Sequence, residues 1–426
     1  MQRAKAIAAI TRFGLVICLV LFATAWPDVP ASAAEPIKIG FTMSLTGGLA
    51  PNGRQLLQAL EIWRSDVRAH GGLLGRPVEF VYYDDQSNPA SVPGIYTKLL
   101  TVDKVDLVLG PYGTNLIAAA MPVLIQANKI AIGLFGVNVN HQFNYPRYFS
   151  MISGGAGGSA SFSRGWFELA GAYKPKPKTL AIVAPDAEFG RVTCDGARAN
   201  GKAGGFEVVY DKSYPPSTIE FASILRAIQA TNPDLIYVCA YPPDTVGFIR
   251  AADEIDLRVE IFGGAMVGLF ATPIKMQLGP LLNGIVFNEN FVPSPKLLEL
   301  PGLRELLAKY QATAPALKID PVGYDFVPFG YAAGQVLAEA VERTKSLDHD
   351  KLANDMHANA FHTVLGEISF GTDGEWTKPR QFTTQFQNIT GHDVDQFRDT
   401  TRQVVLWPDE YKTGDMIPYN LARKKP

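Results

Sequence analysis

Short apolar segments typical of β-strands alternate with amphipathic segments typical of helices in two separate stretches of this 426-residue chain. In the first stretch the pattern predicts strands at 37–43, 78–83, 105–109 and 130–133, with helices at 55–69, from 89 and at 115–126. In the second, after a Gly/Ser-rich segment at 153–163, it predicts strands at 179–184, 206–210, 235–240 and 260–263, with helices at 189–202, 221–230 and 245–255. Strands separated by such helices are typical of parallel sheets built from βαβ units.

The two series predict two doubly wound α/β lobes of similar size. Residues from about 290 onward add helical patterns at 303–311 and 330–343 and a strand-rich segment after 365, which we interpret as a return to the lobes. Ligands of such sheets bind beyond the carboxyl ends of the strands. Two facing lobes would therefore enclose a ligand cleft.

Residues 1–34 have the pattern of an export signal: a positively charged start, an apolar run at 13–25 and a small-residue cleavage site. The apolar run is too short to span a membrane as a helix, which needs ~20 residues. We expect cleavage after Ala33 or Ala34 and a soluble protein outside the cytoplasm. Cys18 lies inside the apolar run, so we expect no lipid anchor on it.

Charge and cysteine content exclude three classes of protein. The 39 basic and 41 acidic residues give a net charge of −2, which offers no basic surface for a nucleic acid. Three cysteines are too few for a disulfide framework or a cysteine-rich metal module. Without the export signal Cys194 and Cys239 remain, and either two buried thiols or one disulfide fits the sequence.

Motifs of common enzymes and metal sites are missing from the sequence. It has no G-x-x-x-x-G-K-[ST] phosphate loop, no H-E-x-x-H zinc motif and no G-x-S-x-G nucleophile elbow, and its six histidines lack metal-ligand spacing. Asp84 and Asp85 could be an acid–base pair, but adjacent strand residues point to opposite sides, so we interpret them as a turn or helix cap. We therefore expect no enzyme activity, no cofactor and no metal.

Polar loops follow the predicted strands where a ligand between the lobes would be contacted. The loop 44–48, which includes Thr46, follows the first strand, and 110–115 follows the third and leads into a helix. Free amides at that helix start, with the hydroxyl of Thr114, favour an anion such as a carboxylate, although Thr114 also fits a helix cap. Three aromatic residues lie at strand ends and could be ligand walls or core: Tyr112, Phe135 and Tyr241.

Six segments carry a family pattern in order and spacing: FTMSLTG at 41–47, HGGLLGRP at 70–77, DDQSNP at 84–89, VDLVLGPYGT at 105–114, YD at 324–325 and FHTVLGEISF at 361–370. They resemble the leucine/isoleucine/valine-binding family, the extracytoplasmic substrate-binding proteins of ABC importers. The resemblance covers nearly the whole chain after the export signal. It implies the type I periplasmic binding protein fold, in which two α/β lobes joined by three crossovers close on a ligand by a hinge.

This fold implies a division of the chain into lobes. We expect the signal peptide at 1–34, a first lobe from 35–152 with about 290–360, and a second lobe from 153–289 with about 361–426.

The resemblance also implies contacts to a ligand carboxylate. In the family a hydroxyl residue and neighbouring amides hold this group, and Thr114 with its neighbours Tyr112, Gly113 and Asn115 fits that role. A tyrosine after the third strand of the second lobe covers the ligand in the family, and Tyr241 fits that position.

The family's contacts to an α-ammonium group are not matched. Amino-acid binders use a threonine and an acidic residue, and the corresponding positions here hold Val137 and Ala265. A buried ammonium without such a partner loses several kcal/mol. We therefore expect a carboxylate with an apolar or aromatic body, or an amide or urea-like relative. Phe135, in place of a small residue, could stack on it, and Arg54 could pair with a second acid group or be solvated.

These patterns predict a monomeric receptor that captures a small ligand between its lobes and delivers it to the membrane permease of an ABC importer, with no nucleic-acid partner. Ligand binding would drive closure through its higher affinity for the closed state. Two alternatives remain: a ligand-sensing domain coupled to a signalling partner, since the same lobes serve receptors, and a branched-chain amino acid as the ligand.

Overall fold

The alternating pattern folds into parallel sheets covered by helices, in a computed structural model that describes residues 35–423. The expected α/β architecture with two doubly wound lobes is confirmed. The predicted export signal, with Cys18, lies outside the described residues.

The described residues form the following elements. The strands are β1 (Ile37–Met43), β2 (Val78–Asp84), β3 (Leu107–Val108), β4 (Ala131–Leu134), β5 (Tyr148–Met151), β6 (Thr179–Pro185), β7 (Glu207–Tyr214), β8 (Leu235–Ala240), β9 (Ile261–Met266), β10 (Ile285–Glu289), β11 (Phe361–Thr363), β12 (Gly366–Ile368), β13 (Phe382–Phe386) and β14 (Gln403–Trp407). The helices are α1 (Ala50–Ala69), α2 (Val92–Thr101), α3 (Thr114–Gln126), α4 (Val139–Phe143), α5 (Gly158–Ala172), α6 (Glu188–Ala203), α7 (Ala222–Gln229), α8 (Pro242–Glu254), α9 (Thr272–Leu278), α10 (Pro295–Leu298), α11 (Leu303–Leu317), α12 (Val327–Thr344), α13 (His349–Ala358), α14 (Asp395–Arg398) and α15 (Tyr419–Ala422). Between residues 35 and 423, no helix combines the length and the hydropathy that crossing a bilayer requires.

The first lobe is built around β1 and consists of β1–β5, α1–α4 and α11–α13. β1 pairs in parallel with β2 on one side and β3 on the other, and β4 pairs in parallel with β5. A parallel bridge between Tyr112 and Leu134 connects these two groups of strands. Ile37, Ile39 and Phe41 of β1 are fully buried because α1 and α2 pack against the strand.

The second lobe contains a seven-stranded sheet in the order β14-β13-β10-β9-β8-β6-β7, with α5–α9, α14 and α15. Strands β6 to β10 run parallel, and β13 and β14 add an antiparallel edge. Every residue of β8 and β9 is buried, as expected for central strands of a sheet covered on both faces.

Residues 152–157 connect β5 with α5, 290–302 connect β10 with α11, and 369–381 connect β12 with β13; we propose that these are the three crossovers between the lobes. The hairpin β11–β12, which precedes the third crossover, packs against α12 of the first lobe. The chain re-enters the second sheet only at β13. We therefore propose that the last lobe boundary lies between Ile368 and Phe382 rather than at about residue 361.

Several elements differ from the sequence prediction, among them β5, β9, β10 and α5. The pattern does not predict β5, a run of four residues that Ser150 interrupts. Helix α5 begins at Gly158, inside the Gly/Ser-rich segment that the sequence suggests as a link between lobes. Glycine and serine are weak helix formers, but the burial of Phe162 and Trp166 supplies packing that outweighs propensity. Cys194 and Cys239 are two buried free thiols, so the disulfide alternative is not realised.

Candidate functional site

A cavity lies between the lobes, at the carboxyl ends of parallel strands from both sheets. Five residues that border it each follow directly on the last residue of a strand: Phe135, Ile152, Tyr241, Val267 and Asn290, after β4, β5, β8, β9 and β10. The space between its lining atoms, including the open solvent at its mouth, measures about 460 Å³. The sequence argument for a cleft at the strand ends is therefore matched by a cavity at that position.

The first turn of α3 forms one wall of the cavity. Gly113, just before the helix, has φ of +90°, a left-handed conformation that favours glycine, and its N–H donates to the carbonyl of Leu134 at 2.8 Å. The amides of Thr114, Asn115 and Leu116 have no preceding helical carbonyl to bind, and all three residues border the cavity. The partial positive charge at this end of α3 favours a ligand carboxylate.

The hydroxyl of Thr114 connects α3 to the segment after β4. Its Oγ1 accepts a hydrogen bond from the N–H of Val137 at 3.1 Å, and the residue is only 3% exposed. A hydroxyl that accepts one bond still has its own proton to donate. Thr114 can therefore hold the cavity wall together and donate to a ligand oxygen at the same time.

Aromatic rings form a second wall. Phe135 has φ of +61°, uncommon for a bulky residue, and its ring lies 4.7 Å from that of Phe326 and 4.9 Å from that of Phe329. The ring of Tyr112 lies 5.4 Å from Phe326, and its hydroxyl accepts a hydrogen bond from Nδ2 of Asn52 at 2.7 Å. Burial raises the pKa of Tyr112, so its phenol stays protonated and neutral.

Asn115 joins the two lobes across the cavity. Its Nδ2 donates to the hydroxyl of Tyr241 at 2.5 Å, and its Oδ1 accepts from the backbone N–H of Phe189 at 2.8 Å. The rings of Phe189 and Tyr241 lie 5.5 Å apart. Because α3 belongs to the first lobe and both partners to the second, these bonds form only when the lobes face each other.

The cavity lining is uncharged. All of its residues lie within 35–423, and none is an aspartate, glutamate, lysine, arginine or histidine. Over the same part of the chain, no group of three or more histidine, cysteine or acidic residues is arranged to hold a metal ion. An ammonium group in this cavity would have no carboxylate partner, whereas a carboxylate would face the start of α3.

Of the ten residues that the sequence singles out, seven border the cavity: Tyr112, Gly113, Thr114, Asn115, Phe135, Val137 and Tyr241. Thr46 and Arg54 do not. The hydroxyl of Thr46 donates to the carboxylate of Asp84 at 2.6 Å, and Nε of the exposed Arg54 donates to the carbonyl of Leu45 at 2.9 Å. Both side chains stabilise the loop after β1.

Ala265 also lies away from the cavity. Strand β9 extends to Met266, three residues beyond its predicted end, so Ala265 is a buried strand residue paired with Cys239. The first residue past the strand is Val267, which borders the cavity. This position is apolar as well, so the absence of an acidic group holds for both residues.

Several cavity residues are not found by sequence reasoning, among them Phe162, Phe189, Phe270 and Asn290. Phe189 follows a predicted strand by only a few residues, and the strand-end rule applied to β6 could have found it. Asn290 follows β10, a strand that the apolar pattern does not reveal. Phe162 lies within the segment interpreted as a link.

A model of the periplasmic binding protein family matches residues 36–386. The leucine-specific-binding protein of Salmonella typhimurium is 22% identical over 343 residues, covering 80% of this chain and 88% of its own length. Two solved structures share the fold. A solute-binding protein of an ABC transporter from R. palustris, in complex with benzoate, has a TM-score of 0.71 at 22% identity and covers 87% of this chain and 96% of its own. A branched-chain amino acid transporter substrate-binding protein from Streptococcus pneumoniae, in complex with isoleucine, has a TM-score of 0.67 at 20% identity. It covers 84% of this chain and 97% of its own.

Proposed function

Because this chain belongs to the periplasmic binding protein family, we propose that it is the solute-binding protein of an ABC importer and that its ligand is a small carboxylate with an apolar, preferably aromatic, body. Proteins of this family bind solutes and are not enzymes. In this proposal the chain acts in the periplasm as a monomer, after removal of residues 1–34, and delivers its ligand to a membrane permease.

The ligand class is inferred from one observation: an uncharged cavity, with six aromatic residues among the fifteen that line it, has the amino end of α3 as a polar wall. The free amides of α3 and the Thr114 hydroxyl supply donors for an anion. The rings of Phe135 and Tyr112 supply flat apolar surfaces for a ligand body. No charged side chain in the lining competes for the carboxylate.

The same lining disfavours a free amino acid. A buried ammonium ion without a partner costs several kcal/mol even after relaxation of its surroundings. The start of a helix contributes about 0.3–1 kcal/mol to an anion, and up to ~2 kcal/mol when partly buried. This gain is too small to offset the unpaired ammonium, so an acid should bind better than the corresponding α-amino acid.

The two structural relatives illustrate the alternatives. Benzoate, bound by the R. palustris protein, is an aromatic acid without an ammonium group, and isoleucine, bound by the S. pneumoniae protein, has one. The valines at 137 and 267 favour the first type of ligand for this chain.

Ligand pairs that differ only in the ammonium group test this proposal. Isothermal titration of the protein without residues 1–34 should give at least about 100-fold tighter binding for 3-phenylpropanoate than for phenylalanine, and for 4-methylpentanoate than for leucine, since 1.4 kcal/mol corresponds to tenfold. At 100 times its dissociation constant, a ligand should add ~2.7 kcal/mol of stability, which raises Tm by roughly 3 °C for a chain of this size. Tighter binding of the amino acids would overturn the proposed ligand class.

Variants of Thr114 locate the carboxylate. Thr114→Val keeps the shape but removes the hydroxyl, so binding of the best acid should weaken by about 1–3 kcal/mol. Thr114→Ser retains the hydroxyl and is the matched control, with affinity close to wild type. Equal affinities for all three proteins would show that the carboxylate binds elsewhere.

A further inference from the structure

Asn290 is a buried side chain at the cavity with one polar atom left over. It follows β10, borders the cavity and is 2% exposed. Its Oδ1 accepts a hydrogen bond from Nε2 of Gln381 at 2.9 Å. Its Nδ2 has no hydrogen-bond partner among residues 35–423. Buried side-chain polar atoms in native proteins nearly always have a partner, so this donor requires an explanation.

The position of Asn290 is fixed by all three crossovers. Asn290 begins the second crossover, its carbonyl accepts from the hydroxyl of Ser153 in the first at 3.4 Å, and its amide binds Gln381 in the third. The backbone is held by Ser153, and the side chain cannot turn to find another partner without breaking its bond to Gln381. The amide of Asn290, with its unpartnered Nδ2, is therefore held in place on a residue that borders the cavity.

The chemistry of the Asn290 amide limits which ligand groups can form a hydrogen bond with its free atom. If both amide groups were reversed, Nδ2 of Asn290 would donate to Oε1 of Gln381 and the Oδ1 of Asn290 would be left over instead. Oε1 of Gln381 is also unpartnered within the described residues, so the present pairing uses only one atom of each amide. A ligand hydroxyl can donate as well as accept, and so satisfies Asn290 in either orientation.

On the basis of the proposed function, we propose that Asn290 is a specificity-determining residue that hydrogen-bonds a hydroxyl group on the ligand body, apart from the carboxylate. The start of α3 belongs to the first lobe, whereas Asn290 follows a strand of the second lobe, and both border the cavity. The ligand class is then a hydroxylated apolar or aromatic acid. A site built to hydrogen-bond a substrate hydroxyl discriminates strongly against an analogue that lacks it, because the buried group is left unpaired.

The test compares ligands in which a methyl group replaces the hydroxyl. Titration calorimetry of the protein without residues 1–34 uses 3- and 4-hydroxybenzoate against 3- and 4-methylbenzoate, and the aliphatic pair 6-hydroxyhexanoate against heptanoate. In at least one pair the hydroxylated acid should bind wild type at least about tenfold more tightly. Asn290→Leu should bring this ratio close to one by weakening the hydroxylated acid and leaving its methyl partner unchanged or tighter. Asn290→Ala serves the same purpose if the leucine variant does not fold.

The outcomes separate this inference from the proposed function. If acids bind but every wild-type ratio is near one, or if the ratio is the same in the Asn290 variants, the inference is wrong and the proposed function stands. If none of the acids binds wild type, both fail.

Discussion

Asn115 is the side chain whose removal should open the molecule. Its amide makes two hydrogen bonds to the second lobe, to the hydroxyl of Tyr241 at 2.5 Å and from the N–H of Phe189 at 2.8 Å. Asn115→Ala removes both. While the lobes remain closed, Phe189 N–H and the Tyr241 hydroxyl lose this partner, whereas water can reach both groups when the lobes separate. The loss therefore falls on the closed state.

The free energy that the closed state loses follows from the number of hydrogen bonds that Asn115→Ala removes. Each hydrogen bond contributes about 0.5–1.5 kcal/mol net, so two contribute about 1–3 kcal/mol. That free energy changes the ratio of closed to open molecules by about 5–150-fold. Because the apparent affinity scales with the fraction of binding-competent molecules, the dissociation constant of the ligand should rise by up to the same factor.

Small-angle X-ray scattering measures this change directly. The radius of gyration of ligand-free Asn115→Ala should exceed that of wild type, and saturating ligand should bring the two values together. Asn52→Ala is the matched control, since Asn52 makes a similar bond to the hydroxyl of Tyr112 at 2.7 Å, but within the first lobe. It should lower Tm and leave the radius of gyration unchanged. Identical radii and ligand affinities for wild type and Asn115→Ala would refute the reasoning.

Two further predictions concern buried charges. Burial raises the pKa of Glu375 from 4.5 to about 8, so the stability tied to its bound proton is fully present below about pH 4.5 and lost as the pH rises through 8. Glu375→Gln should therefore be more stable than wild type by roughly 2–5 kcal/mol in urea unfolding at about pH 9 but not at about pH 5, and an equal difference at both would contradict this. Lys275→Met should destabilise the protein by about 3–5 kcal/mol, because the buried carboxylate of Asp325, 3.4 Å from Nζ, loses its cation. The double variant Lys275→Met with Asp325→Leu should regain most of the Tm that Lys275→Met loses. A double variant no more stable than Lys275→Met would contradict the ion-pair explanation.

The sequence predicts the end of a strand where an apolar run without glycine marks it, whereas the end of the glycine-containing β9 is predicted three residues too early. Strand β8 is found at Leu235–Ala240, where the pattern predicts it, so Tyr241 can be named as a strand-end residue from the sequence alone. Strand β10 ends in Asn288 and Glu289, whose polar side chains interrupt the apolar run. Their burial depends on tertiary partners, such as the carbonyl of Phe162, which accepts from Nδ2 of Asn288 at 2.6 Å. Because the apolar pattern does not reveal β10, it does not identify Asn290 as a strand-end residue either.

Contacts between the lobes could not be predicted from the sequence either. Asn115 and Tyr241 are 126 positions apart, and their bond depends on how two separately folded sheets face each other. Periodicity reports which face of an element is buried and where the element ends. It therefore places Tyr241 at a strand end and Asn115 at the start of a helix, but cannot pair them.

The neutral lining of the cavity determines which ligands are selected, because it leaves the ammonium group of an amino acid unpaired. An α-amino acid and the corresponding deaminated acid present the same carboxylate to α3, so the gain from the helix start cancels between them, and the several kcal/mol of the unpaired ammonium remain. Among acids without an ammonium, an apolar wall discriminates weakly, since one methylene is worth only about 1–3 kcal/mol. An apolar wall therefore distinguishes poorly between a methyl and a hydroxyl group of similar size. A buried hydrogen-bonding side chain distinguishes them most strongly. On the proposed function, Asn290 is therefore the residue at which acids of similar size would be distinguished.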